Sequence, residues 1–475
     1  MTTYATTSAT ATSRVSAPAR VRRPSLSAQA WNAGAVAVIW LTSLFVVALW
    51  VAGGGMQALA GLDGESITTL GRITGLVSAN LLLYQVLLMA RVPLFERGFG
   101  RDGITRMHRL VGFWSFWLMF AHIVLITTGY AVTAQLNVFV QLWELVVDYP
   151  GMLLATAGTV LLVMVVVTSM RRVRRTLRYE SWHLLHLYGY LGVGLALPHQ
   201  LWTGADFLSS PLATFYWWTL WAVVAASVVV FRIGMPLARS LRHHLRVVGV
   251  APDGHHGVAV RVTGRDLQRL GAKPGQFFVW RFLDGPGWTR GHPFSLAAAP
   301  RAGALDISAR VVGDGTSRLR SLAPGTRVLV EGPYGRMTAE ERTGTKLLMI
   351  GAGAGVAPLV SILEGERFVP GDATLVTRDH DVAAGMRRAA VRELVDRRGL
   401  RHFELPGPRS DGGSSWLPIS HGQWRGRDLV RFLAPDLEAY DAFVCGPKPW
   451  MDAVVRDLRA AGMPAHAIHT ESFTV

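Results

Sequence analysis

Four histidines in the apolar half of this 475-residue chain carry the first chemical message. His108 and His122 lie 14 residues apart in one long apolar run, and His186 and His199 lie 13 apart in another. At about 1.5 Å of rise per helical residue, either spacing separates two imidazoles by roughly 20 Å, most of the way across a hydrocarbon core of about 30 Å. Ionisable side chains at that depth are costly and need a reason. Imidazole is a good haem iron ligand. Two such helices side by side would grip two haems stacked across a membrane, each iron held by one histidine from each helix. With both axial positions filled, oxygen has no open site on the iron, and single electrons leave from the haem edge. One feature resists: 14 residues return to nearly the same helix face, whereas 13 end about 140° away. Pro198, beside His199, is the expected source of the irregularity this demands. His183, three residues from His186, is the competing ligand and reads instead as a propionate or interface histidine near Glu180. Arg72 lies inside another apolar run and reads as a snorkelling arginine or as a positive group near the outer haem.

A second set of motifs lies in the C-terminal half. Gly351-Ala-Gly-Ala-Gly-Val-Ala-Pro358 follows the apolar run Lys346 to Ile350 and leads into a helical pattern. Gly351, Gly353 and Gly355 let backbone approach a pyrophosphate, whose charge a helix N-terminus favours. In Arg290-Gly-His-Pro-Phe-Ser295, His292 and Pro293 hold an extended backbone, and Phe294 and Ser295 offer a ring and a hydroxyl to a flavin. Arg310 precedes Gly313-Asp-Gly-Thr316, a turn with an exposed hydroxyl, and Glu331-Gly-Pro-Tyr-Gly335 makes another turn. Cys445, Gly446 and Pro447 follow the apolar Ala442-Phe-Val444 at a strand end. Arg378 follows the run Ala373 to Thr377, where a 2′-phosphate would lie, and favours NADPH over NADH; Asp379 pulls the other way. Each piece alone could be a tight turn, whereas the ordered set points to a flavin and a nicotinamide.

These residues need a scaffold, and the hydropathy pattern supplies one. Residues 1–30, rich in Ser, Thr, Ala and Arg, read as a disordered cytoplasmic tail. Residues 31–240 read as six membrane helices near 31–52, 67–90, 107–132, 150–170, 181–202 and 211–234, the fifth weakened by its histidines and Pro198. Arg91, Arg97, Arg101, Arg106 and Arg109 sit between helices two and three, and Arg171, Arg172, Arg174, Arg175 and Arg178 between four and five. The alternate loops 53–66, 133–149 and 203–210 hold acids and no Lys or Arg. This asymmetry places both termini in the cytoplasm and the protein in the cell membrane. Helices three and five then run parallel, pairing His108 with His186 for an inner haem and His122 with His199 for an outer one. Residues 241–340 carry short alternating runs, as in a small β barrel, and residues 341–475 alternate strands and helices, as in a doubly wound nucleotide-binding domain. No internal repeat is present. The single cysteine, Cys445, excludes an internal disulfide and a cysteine-ligated iron–sulfur cluster. The net charge of +16 marks cytoplasmic loops rather than nucleic-acid binding, since its arginines cluster between apolar runs.

Over about residues 67–475 the chain resembles the ferric reductase and NADPH oxidase family, as a bacterial ferric reductase-like transmembrane flavocytochrome b. The resemblance carries the ligands of two b-type haems onto His108, His122, His186 and His199. It carries FAD binding onto His292 to Ser295 and onto Gly313 to Thr316 with Arg310. It carries nicotinamide binding onto Gly351 to Pro358 and Cys445 to Pro447. The ending Glu471-Ser-Phe473 resembles the family's C-terminus, where an aromatic covers the flavin until nicotinamide displaces it; Ser295, Cys445 and Phe473 are thus the implied catalytic residues. Gly315 stands where the family has tryptophan, Ala357 where the oxidases have threonine, and Ile126 where animal oxidases place a further histidine. These departures bear on superoxide production more than on electron transfer. The implied fold is a multi-domain membrane protein: a six-helix haem bundle, a ferredoxin-reductase-like β-barrel FAD domain and an α/β nucleotide-binding domain. The implied activity passes electrons from cytosolic NADPH, with NADH as the alternative donor, through FAD and two haems to a small extracytoplasmic acceptor such as ferric iron or oxygen. The competing readings are a reductase serving a membrane or extracytoplasmic partner protein, and a haem-free membrane-anchored flavin reductase. The sequence leaves the oligomeric state open.

Overall fold

The computed structural model describes residues 28–61, 63–177, 179–285, 287–409 and 416–472. The N-terminal tail and Phe473 lie outside them. The helical half comprises α1 (Ala28–Ala52), α2 (Gly64–Leu88), α3 (Pro93–Ala134), α4 (Val138–Asp148), α5 (Met152–Ser169), α6 (Tyr179–Trp202) and α7 (Pro211–Ser227). A π-helical stretch, Val228–Gly234, carries α7 into α8 (Met235–His243). Among the described residues five helical stretches are long and apolar enough to cross a membrane: 33–52, 64–88, 103–134, 152–169 and 211–243. The expected sixth, α6, is a 24-residue helix, but its histidines, Gln200 and Pro198 keep it below that apolarity. It runs without a break through Pro198.

Two elements differ from the sequence reading. The helix expected at 107–132 starts at Pro93, its early turns hidden from hydropathy by Arg97, Arg101, Asp102 and Arg106, and bends at Gly100, where φ is +63°. The loop expected at 133–149 contains α4, which Asn137 caps by accepting a hydrogen bond from the Phe139 amide at 2.9 Å. Its Phe139 and Trp143 are exposed. Glycines let the helices cross closely: a Cβ on Gly71 would lie 2.9 Å from the Ile126 nitrogen, and one on Gly158 would lie 2.7 Å from the Gly192 carbonyl. Small residues permit such backbone approach in apolar bundles. In this way α2 packs on α3, and α5 on α6.

Among the described residues the C-terminal half has eleven strands: β1 (Arg246–Pro252), β2 (Gly257–Thr263), β3 (Phe277–Phe282), β4 (His292–Ser295), β5 (Leu305–Arg310), β6 (Val328–Tyr334), β7 (Lys346–Ala352), β8 (Ala373–Asp379), β9 (Arg401–Pro406), β10 (Tyr440–Gly446) and β11 (Ile468–Ser472). The first six form two antiparallel three-stranded sheets, β1-β2-β5 and β4-β3-β6. Bridges Leu296–Ile307 and Arg246–Arg327 connect them around buried Phe278, Trp280, Val260 and Ile307. The remaining five make a parallel sheet in the order β11-β10-β7-β8-β9. Helices α9 (Val356–Gly365), α10 (Arg388–Arg398), α11 (Gly426–Leu433) and α12 (Lys448–Ala461) give it an apolar core on each face. Buried on both sides, β7 and β10 are the continuous apolar runs read from sequence.

Candidate functional site

The site has two centres. In the helical half, His108 and His122 on α3 face His186 and His199 on α6. The rings of His108 and His186 have centroids 6.0 Å apart. Two imidazoles on opposite sides of one iron, each bonded at about 2 Å, have a similar separation. His122 lies close enough to His199 for their charges to interact. Among the described residues α3 and α6 pack chiefly on other helices rather than on each other.

Three of the four Nδ1 atoms are turned toward a protein partner. His122 Nδ1–H donates to the Gly71 carbonyl at 2.8 Å, and His108 Nδ1–H to the Gln85 carbonyl at 3.4 Å. His186 Nδ1 lies 3.1 Å from Ser169 Oγ, whereas the buried His199 Nδ1 has no hydrogen-bond partner among the described residues. A carbonyl only accepts, so at His108 and His122 the proton sits on Nδ1 and the Nε2 lone pair is left available. A second partner fixing the tautomer in this way is what a metal-binding histidine needs. The donor set therefore fits two bis-imidazole haems. His183 lies at the end of α6 nearer the C-terminal half, among Arg91, Arg232, Arg281 and Glu331. Arg72 is exposed on α2, close to Asp206, whose carboxyl burial pushes up and Arg72 draws down.

The second centre is a cleft of about 750 Å³ between the antiparallel sheets and the parallel sheet. It brings together Pro293, Phe294 and Ser295 on β4, Arg310 on β5, Thr316, Gly353 and Gly355 after β7, Arg378 on β8, and Gly446 and Pro447 after β10. Ser295 Oγ is buried there with no hydrogen-bond partner, as expected of a hydroxyl waiting for a ligand acceptor or donor. Gly353 has φ +56°, a left-handed conformation suited to glycine. A Cβ on Gly355 would lie 2.1 Å from the Cys445 carbonyl. The ends of β7 and β10 therefore approach this closely only because Gly355 lacks a side chain. These features fit FAD and a nicotinamide dinucleotide.

His292, Gly313, Gly351, Pro358 and Cys445 do not line the cleft but support it. His292 stacks on Phe294, with centroids 5.8 Å apart, and fills the space where a side chain on Gly315 would go. The Thr316 hydroxyl closes its own turn, accepting from the Val312 amide at 2.9 Å. Cys445 is fully buried, its thiol donating to the Glu471 carbonyl at 3.5 Å and pushed well up in pKa by burial. Arg378 is largely committed to its own domain, donating to the carbonyls of Trp416 at 3.3 Å and Leu405 at 3.2 Å. Burial and neighbouring Arg409 pull its pKa down. Sequence reasoning missed His380, Arg409, Lys448 and Trp450 as lining residues. Arg409 and Lys448 are exposed cations that no motif flags.

Comparison with known proteins finds two kinds of relative. Residues 74–197 match the family described as ferric reductase like transmembrane component. The ferredoxin reductase component of 3-ketosteroid-9-alpha-monooxygenase from Rhodococcus rhodochrous is 29% identical over 206 residues, 42% of this chain and 56% of that protein. The ferredoxin–NAD(+) reductase component of the alkene monooxygenase system of Xanthobacter autotrophicus is 31% identical over 208 residues, 42% of this chain and 61% of that protein. The chain thus spans about three fifths of the length of these curated relatives. Among solved structures, the Amycolatopsis cytochrome P450 reductase GcoB is similar at 23% identity and a TM-score of 0.40, over 49% of this chain and 70% of that one.

Proposed function

We propose, from the premise that the chain joins a ferric reductase-like membrane domain to a ferredoxin-reductase-like flavin and nicotinamide module, that it is a transmembrane electron-transfer oxidoreductase. It passes electrons from cytosolic NADPH, through FAD and two bis-histidine b-type haems, to an acceptor outside the cell such as ferric iron or oxygen. The observation that carries this is the arrangement of the four imidazoles: two facing pairs, with Nδ1 of His108, His122 and His186 each turned toward a protein partner.

When bound, the flavin would convert a hydride into single electrons and the haems would relay each one through lipid. The chain's own residues bind and orient. Gly353 and Gly355 admit the dinucleotide backbone; Phe294 and Ser295 offer a ring face and a hydroxyl to the flavin. Arg378 and Arg409 make the far end of the cleft positive, which favours a 2′-phosphate, while Asp379 favours the unphosphorylated ribose. His108 with His186, and His122 with His199, would hold the inner and outer haems. An inside-negative potential assists outward electron movement by about 2.3 kcal/mol per 100 mV.

The test is haem stoichiometry in single and paired His→Ala variants of the whole protein. His108→Ala and His186→Ala should each remove one haem, and the double variant should remove no more than either alone. His122→Ala and His199→Ala should behave likewise for the other. A purified protein without b-type bands would sink the reading and leave a membrane-anchored flavin reductase.

A further inference from the structure

The turn Glu331–Gly335 lines no part of the cleft. It lies against the helical half on two sides. On one, Ser240 of α8 accepts a hydrogen bond from the Val330 amide at 3.1 Å, and Arg239 donates to the Gly332 carbonyl. On the other, the segment between α2 and α3 meets it. The Arg91 guanidinium lies 4.8 Å over the Tyr334 ring, and Arg336 donates to the Gly98 carbonyl at 3.1 Å. Arg91 adopts φ +67°, disfavoured for any residue but glycine, with its side chain held by Tyr334 and, at 3.5 Å, by Glu96.

The turn also lies between the two centres. Phe277 pairs in register with Ser295 on one neighbouring strand and with Tyr334 on the other, its ring 5.7 Å from that of Tyr334. Two cross-strand steps therefore lead from the cleft hydroxyl to the turn. Beyond Arg91, Arg232 donates to the Met89 carbonyl at 3.1 Å and lies 5.7 Å over the ring of Tyr190, one helical turn from His186.

We propose that residues 330–336 form a two-sided latch that fixes the flavin-binding sheets on the membrane helices and sets the gap an electron crosses to the inner histidine pair. Arg91 and Tyr334 are its positioning residues. The assignment of a flavin-to-haem gap rests on the function proposed above; the latch itself does not.

The experiment compares full-length wild type with Arg91→Gln, Tyr334→Leu and Tyr334→Phe. Hydrogen–deuterium exchange is read at residues 88–98 and 328–336. Stopped-flow absorbance with NADPH reads flavin and haem reduction separately. In Arg91→Gln and Tyr334→Leu, exchange at both segments should speed up about tenfold, an opening shift of about 1.4 kcal/mol. Haem reduction should slow by a similar factor while flavin reduction holds. Tyr334→Phe keeps the ring beneath the guanidinium and should restore both. Unchanged exchange in both disruptive variants overturns the latch. Faster exchange with an unchanged haem-to-flavin rate ratio overturns its positioning role. Should Tyr334→Leu fail to fold, Arg336→Gln replaces it under the same criteria. A wild type lacking haem bands defeats the parent reading, and exchange then decides the latch alone.

Discussion

Ser295 Oγ is a buried hydroxyl without a partner in a wall that otherwise satisfies its polar atoms. A hydrogen bond to bound flavin would contribute about 1 kcal/mol, so Ser295→Ala should weaken FAD binding about fivefold. Fluorescence titration of stripped protein with FAD measures this, and unchanged affinity would remove Ser295 from the flavin site. Asp441 is a contrasting case. It is fully buried and accepts from the Thr343 amide at 2.9 Å, from the Gly344 amide and from His469 Nε2 at 2.9 Å. Burial alone would raise its carboxyl pKa; the His469, Gly344 and Thr343 donors outweigh it and hold the pKa below the usual range. The stabilisation this gives is complete above the unfolded value of about 3.9 and is lost as pH falls through the lower folded value. Asp441→Asn should cost about 3 kcal/mol at neutral pH. Its thermal midpoint should lie well below wild type at pH 7, and the difference should shrink below about pH 4. The sequence marked Ser295 because it closes a motif. It gave no sign of Asp441, whose partners lie about 98 residues before it and 28 after.

At the scale of the element, α2 is the hidden organiser of His122. It bears no ligand, yet its Gly71 carbonyl takes the His122 Nδ1 proton, and its Gly75 leaves room for the ring: a Cβ there would lie 2.4 Å from Nδ1. Gly75→Val should therefore push His122 off Gly71 and lower outer-haem content toward that of His122→Ala, with the inner haem retained. Redox-resolved spectra of the purified variant distinguish the two; a full complement of haem would show that α3 adjusts freely. The histidine spacings were legible because they lie within single helices. The glycine contacts were not, because they depend on how two helices register. The same limit explains α4 and the early turns of α3. Hydropathy finds helices that are apolar throughout and passes over those with one apolar face or with arginine-rich ends. In the C-terminal half the glycine loop stood out because a pyrophosphate demands small residues at fixed offsets. Arg409 and Lys448 reach the same cleft from strand ends far apart in sequence, and no local pattern announces them.

For the whole molecule, the number of spans decides which side of the membrane holds the nicotinamide cleft. Five helical stretches satisfy a hydropathy test, and α6 does not. Five crossings would place the N-terminal tail and the C-terminal half on opposite sides, and a cleft outside the cell would have no NADPH. Six crossings place both on the same side. The physical argument favours six, because two of the polar groups that depress the apolarity of α6, His186 and His199, face α3 and are directed into the bundle rather than toward lipid. Charge agrees: the arginines of 171–175 flank the start of α6, and the acidic Asp206 follows its end. The native cysteine is fully buried, so introduced thiols can be read against a quiet background. Leu208→Cys, in the exposed loop after α6, should react with a membrane-impermeant maleimide in intact cells. Thr176→Cys, in the exposed turn before α6, should react only after permeabilisation. Reaction of both thiols from the same side would mean that α6 does not cross. The facing histidines would then sit on a helix that does not traverse the bilayer, and the two-haem route would lose its outer step.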